Sequence, residues 1–292
     1  MSTTITPTAE HDGATLTRAV AGERTMMDGG SAPLATILQK LTNRAEFAKE
    51  AVRSTRPSWS EQLSIAPGGS SATFNLSVGA ISRAVLYDGS KYVALSANAT
   101  TIGSGAIEGG GVLSANTWYY LYIFHNAGSV SYEISTTAPA ANGVTKNGDA
   151  TRIYLGCFPT LSTGAPVPFR KVGGRVVYRH SGSAVADTRV LNAGNATTNT
   201  AVDISALVPP HTRLATVRCE LVNTAAAINY GFLRTNGDSG ADEISITLPN
   251  VSAAGATAIF DIETDSSRQI AYRVTSVTGA PTLTVFVAGF YE

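Results

Sequence analysis

The chain has 292 residues, enough for about two domains that each bury a core. Charged residues make up 14% of it, well below the roughly 25% of an average soluble domain, and Thr, Ser, Ala, Asn and Gly fill the surface positions instead. Lys and Arg number 21 and Asp and Glu 21, so no net charge draws the chain to nucleic acid or to an anionic membrane.

Residues 1–32 form a polar arm whose opening, MSTTITPTAEHDGATL, lacks the basic-then-apolar pattern of a signal peptide. No run in the chain approaches the roughly 20 apolar residues of a membrane span, so membrane insertion is not expected. An arm of this composition cannot bury a core alone, and is either ordered by a partner or sister subunit or left as a free tail. Residues 33–56 carry the one helical pattern, PLATILQKLTNRAEFAKEAVR, with Ser31 as cap, Pro33 at the start and Pro57 beyond the end. Leu34, Leu38, Leu41, Ala45, Ala48 and Val52 step by four and three in alternation, the seam of a short parallel coiled coil. The rival is a single amphipathic helix docked on a β domain. A lone helix of this length is marginal in water, so either way it needs a surface.

From Pro57 onward the pattern is short strands punctuated by Gly, Asn, Asp and Pro. Strands are predicted near Leu63, 72–76, 81–87, 92–95, 152–158 and 174–179, with Asp88-Gly89 and Asn142-Gly143 as turns. The glycine-rich segment 101–111 reads as a loop. Thr117 to Ser135 reads as a hairpin whose first arm, WYYLYIF, is apolar on both faces. Such a strand needs cover on both sides. One cover is its own sandwich, and a sister copy is expected to supply the other through Trp118, Tyr120 and Tyr122; the rival is a central strand covered by a long loop of the same chain.

Small residues around 181–187 read as a linker. Beyond it, strands are predicted near 188–192, 201–205, 213–222, 228–234, 243–248, 257–262, 269–275 and 282–291, spacing that suits a jelly-roll-like sandwich. The fold class expected is thus mainly β: a short N-terminal helix, then two antiparallel β-sandwich domains at 57–180 and 188–292. Cys157 and Cys219 each sit in an apolar strand and are read as buried free thiols.

Chemistry-bearing patterns are few. Gly237-Asp238-Ser239-Gly240 matches the nucleophile string of trypsin-like proteases, but Ala241-Asp242 follows and none of His11, His125, His180 or His211 lies in a matching context, so turn chemistry is expected. Asp261, Glu263 and Asp265 alternate at a strand end, where oxygen clusters hold calcium; with no glycine turn beside them, a solvated strand end balanced by Arg268 is the reading. Glu133, Asp149, Asp242 and Glu243 supply carboxylates without any pattern that sets two across a glycosidase cleft. Sequons at Asn75, Asn98, Asn195 and Asn250 are what a chain rich in Asn, Ser and Thr yields by chance. Tyr87, Tyr92 and Tyr230, beside turns, are candidates for a ligand surface. No cofactor or metal motif is present, and no enzyme activity is expected.

The run Leu16-Thr17-Arg18 through Gly29-Gly30 into LATILQKLTNRAEFAKE, and the TWYYLYIF hairpin with Glu133 to Pro139, resemble segments of bacteriophage tail fibres and related virion appendages. The resemblance implies a homotrimer, held on the particle by its N-terminal arm through other virion proteins, and presenting β domains toward a host surface polysaccharide. Long fibres carry repeats or a β-helical shaft, and this chain has neither, which turns the expectation to a short tail fibre or spike. Alternatives are a capsid decoration or head-fibre protein, a polysaccharide-degrading tailspike, and a free lectin-like module.

Overall fold

A computed structural model describes residues 3–5, 16–18, 63–66, 69–179, 187–239, 243–275 and 280–292. The chain divides into two units, Met1–Arg56 and Pro57–Glu292. In the first, β1 (Thr3–Ile5) and β2 (Leu16–Arg18) pair antiparallel, Thr3 opposite Arg18. The predicted helix and its seam residues Leu34, Leu38, Leu41, Ala45, Ala48 and Val52 lie outside the described residues.

The second unit is mainly β, and its named strands pair antiparallel throughout. It begins with β3 (Leu63–Ile65), β4 (Leu76–Val78), β5 (Ile81–Tyr87), β6 (Tyr92–Ala97) and β7 (Thr100–Ile102). Next come β8 (Trp118–Asn126), β9 (Ser129–Ser135), β10 (Thr145–Lys146), β11 (Asp149–Pro159), β12 (Phe169–Val172) and β13 (Arg175–Tyr178). The remainder supplies β14 (Arg189–Gly194), β15 (Thr200–Asp203), β16 (Leu214–Val222), β17 (Asn229–Thr235) and β18 (Ile244–Leu248). It closes with β19 (Gly255–Glu263), β20 (Gln269–Val274) and β21 (Thr282–Tyr291).

Strand chemistry explains these elements locally. In β16, Ala215, Val217, Cys219 and Leu221 are fully buried while Arg218, Glu220 and Val222 face outward, the period of two that one wet face requires. The β8–β9 reversal is made by Ala127 and Gly128, both at positive φ, as a tight hairpin turn demands. Asp88 accepts the amides of Ser90 and Lys91 and closes the β5–β6 turn.

One sheet runs through the whole unit in the order β19-β16-β21-β13-β12-β3-β4-β7, with β14 also on β21. Two four-stranded sheets, β10-β11-β8-β9 and β15-β20-β17-β18, accompany it. Phe158 on β11 stacks on Phe169 of β12 at 6.2 Å, and a Cβ on Gly231 of β17 would stand 3.2 Å from Leu283 of β21, so each smaller sheet faces its own part of the long one.

Two expectations are corrected here. The halves at 57–180 and 188–292 are not separate domains, because β21 carries both: Leu283–Phe286 pair with β14, and Gly289–Tyr291 pair with β13. Side chains close the same joint. Trp118 Nε1 donates to the Ser205 carbonyl at 3.1 Å, its ring meets Phe290 edge-on at 5.9 Å, and Tyr178 Oη donates to the Leu207 carbonyl at 2.6 Å. The second correction concerns β8, where Tyr119 through Ile123 are all exposed by 3% or less within the single chain. Tyr120 and Tyr122 pack on Tyr154, while the β5–β6 hairpin and the 103–114 loop lie against β8, β9 and β11, with the Ser114 amide donating to Tyr119 Oη at 2.8 Å. The chain therefore supplies the cover assigned to a sister copy, and the burial argument for Tyr120 and Tyr122 as oligomer contacts falls.

Candidate functional site

Strand β12 organises the chemistry of this unit. Its four residues, Phe169-Arg170-Lys171-Val172, alternate inward and outward, so two adjacent cations project to opposite faces of the long sheet. Lys171 turns inward. Its ammonium has room because β11 bulges beside Gly156, where a Cβ would come within 2.8 Å of Leu63 and 3.3 Å of Lys171 Nζ.

Inside, Lys171 Nζ donates to the Leu155 carbonyl at 2.6 Å and to Glu292 Oε2 at 2.5 Å. Both side chains of the pair are buried, 2% and 0% exposed. Glu292 Oε1 accepts from Tyr154 Oη at 2.6 Å and Cys157 Sγ at 3.1 Å, and His211 Nε2 lies 4.0 Å from it and 3.4 Å from Tyr154 Oη. Burial, the largest single influence on Glu292, works to raise its pKa. The charge of Lys171 and the hydrogen bonds of Lys171, Tyr154 and Cys157 outweigh it and hold the carboxyl below the usual glutamate range. Burial and the neighbouring carboxylate push the Cys157 thiol well above its ordinary value. That is the reverse of a reactive cysteine, which needs a stabilised thiolate and access.

Cys157, His211 and Glu292 offer sulfur, nitrogen and oxygen donors within 4.8 Å of one another, the ligand types of a zinc site. Here those donors answer one another and Lys171 instead: Glu292 Oε1 accepts from Cys157 Sγ, and Oε2 accepts from the Lys171 ammonium.

Arg170 turns outward. In register with it across four strands stand Ser64, Ser77 and Thr101. At a strand spacing of about 4.8 Å this row is roughly 14 Å long. It lines a groove of about 720 Å³ along which Gly79 and Thr100 also lie, and none of its lining residues is acidic.

The predicted chemistry residues fall elsewhere. Glu133 pairs with Lys146 at 2.7 Å and Arg152 at 3.0 Å, and Arg152 also reaches Asp149 at 3.5 Å. Lys146 holds Glu108 at 2.6 Å as well. Glu243 forms a two-point pair with Arg273 at 2.5 and 3.1 Å. Asp261 accepts from Thr216 and Tyr291, and Asp265 caps a turn through the Ser267 and Gln269 amides, so the three alternating acids do not converge. Gly237, at positive φ, and Asp238 form a turn closed on Thr235; Gly240–Asp242 lie outside the described residues. Tyr87 and Tyr92 face each other across their hairpin at 5.2 Å, and Tyr230 stacks on Phe232 at 6.1 Å in a different sheet. Cys157 and Cys219 are buried and free.

The hydrogen bond from Lys146 lowers Glu108, and the one from Arg273 lowers Glu243. Folded-state values below the unfolded ones mean that these pairs stabilise fully above the ordinary glutamate range, and that the contribution drains as pH falls through the depressed values. The thermal midpoint is expected to decline below about pH 4, with a shallower decline in Glu243→Gln. An identical acid limb in that variant would contradict the assignment.

Lys171, Glu292, Arg170 and the serine row carry no sequence signal of their own. A lysine at an inward position breaks the apolar alternation by which a strand is recognised, so β12 itself is not predicted. No protein-family model matches the chain, and no curated protein matches it.

Proposed function

We propose that this is a non-enzymatic structural protein of a phage or phage-like particle, a trimeric short tail fibre or spike whose β-rich unit binds a surface glycan. The observation that carries the binding role is the groove of Arg170, Ser64, Ser77 and Thr101. Hydroxyls in a row, with the outward-facing Arg170 and no carboxylate, suit a polyhydroxylated, acidic polymer and supply no acid–base pair to cleave it. Of the expected carboxylates among the described residues, Glu133, Asp149 and Glu243 are spent on ion pairs, which weighs against a tailspike hydrolase. The attachment role rests on the resemblance of the arm and hairpin segments. The trimer rests on the seam Leu34, Leu38, Leu41, Ala45, Ala48 and Val52, and the finer architecture is read as two jelly-roll-like sandwiches sharing one sheet.

Binding of acidic and neutral oligosaccharides to the full chain tests the groove. A charge-assisted hydrogen bond contributes about 1.5–3 kcal/mol, so Arg170→Glu is expected to weaken binding of the acidic ligand by roughly 10–100-fold. Equal binding by the variant would remove the groove from the reading. Sedimentation tests the rest: a folded monomer at micromolar concentration would overturn the trimer.

A further inference from the structure

We propose that Lys171 and Glu292 condense to an intramolecular amide, a covalent bolt between β12 and the end of β21. Four observations converge on it. First, the amine nitrogen and a carboxyl oxygen are in hydrogen-bond contact at 2.5 Å, held there by strands that pair on either side of β13. Groups fixed in contact react with effective molarities far beyond any bulk concentration. Second, both side chains are nearly or fully excluded from solvent. Condensation removes two charges from a low-dielectric interior, where an ion pair bears a desolvation cost that a neutral amide does not. Among the described residues, the other lysine–carboxylate contacts, of Lys146 with Glu108 and Glu133, include a carboxylate side chain 49% exposed and another 14% exposed, where water competes.

Third, the two oxygens of Glu292 are differentiated. Oε2 faces the amine, while Oε1 accepts from Tyr154 Oη and Cys157 Sγ, two donors aimed where negative charge develops when the carbon becomes tetrahedral. Burial pushes both of these groups well above their ordinary pKa values, so each keeps its proton and remains a donor. Fourth, His211 lies 3.4 Å from Tyr154 Oη with its side chain 23% exposed, so the cluster borders solvent on that side, where the released water can leave.

The step balances without any further reactant. Lys171 first returns a proton to Glu292 Oε2, giving a neutral amine and acid. The amine nitrogen then attacks Cδ, forming the C–N bond as charge gathers on Oε1. Oε2 takes a second proton from nitrogen and departs as water when the Cδ–Oε2 bond breaks. Lys171 loses two of its three ammonium protons, and both leave in that water.

The test is peptide mapping by mass spectrometry of the purified, folded full-length chain after prolonged incubation at neutral pH. The expected product is a branched peptide that joins the Lys171 and Glu292 segments, is lighter by one water than their sum, and resists trypsin after Lys171. Lys171→Arg keeps a cation at the site but removes the nucleophilic amine, so it should yield the two segments as linear peptides only. Tyr154→Phe should slow the appearance of the branched peptide. Finding wild-type Lys171 fully cleavable and the Glu292 segment linear in protein that melts cooperatively would overturn the proposal, whatever the variants do.

Discussion

Lys171→Met is expected to lower the stability of the 57–292 unit by about 3–5 kcal/mol, the range for removing one partner of a buried ion pair. The loss comes mostly from Glu292, whose carboxylate would remain at 0% exposure with its charge unbalanced, and from the Leu155 carbonyl, which would lose its Lys171 donor. A unit of this size loses about 2–4 °C per kcal/mol, so its thermal midpoint should drop by roughly 10 °C. These figures describe the ion pair; an amide between the same residues would enlarge them. The partner variant is more telling. Lys171→Met combined with Glu292→Leu leaves no charge behind, and apolar replacements of buried pairs are often neutral, so the double variant should regain most of what the single one lost. Melting curves of the four proteins form a cycle. If Lys171→Met melted with the wild type, the cluster would not be a fastening of this fold.

Gly289→Val is expected to do more damage still. Gly289 lies in β21 between Val177 of β13 and Thr216 of β16, and a Cβ placed on it would stand 2.0 Å from the Val176 carbonyl oxygen and 3.1 Å from its carbon. No rotamer relieves this, since the obstacle is backbone. The strands must part, and with them the joint through which one sheet spans both halves. A cost above about 4 kcal/mol is expected, outside the usual span for single substitutions. Hydrogen exchange locates the effect: amides of Arg175–Tyr178 should lose protection while those of Leu214–Val222, paired also with β19, retain more. Uniform protection in the variant would mean that β13 and β21 do not depend on this close approach.

The β character of the second unit was legible because it is written in local chemistry. Predicted strands at 81–87 and 282–291 coincide with β5 and β21, and those at 213–222 and 269–275 miss by a residue at an end. These segments are rich in β-branched and aromatic residues, which marks the strand even where burial does not alternate strictly, as in β20 and β21. Where the local pattern is short or interrupted, the reading fails. β7 lies in a stretch read as a glycine loop, β10 has two residues, and β12 hides a lysine among its inward positions. The aromatic arm of β8 shows a different limit. Its two apolar faces do require two covers, but the pattern is silent on whether a loop of the same chain or another molecule provides them.

By itself, then, the sequence determined that the 57–292 unit would be built of antiparallel strands, that its cysteines would be buried and free, and that its surface would be hydroxyl-rich with little charge. These follow from residue type and period, which act within a few positions along the chain. Tertiary structure alone decided that β13 would meet β21, that Lys171 would find Glu292 121 residues away, and that Arg170 would line up with Ser64, Ser77 and Thr101. Strand partners are selected by how closely backbones can approach and by which buried charges must be answered, and both are properties of the packed interior that no local window of sequence contains.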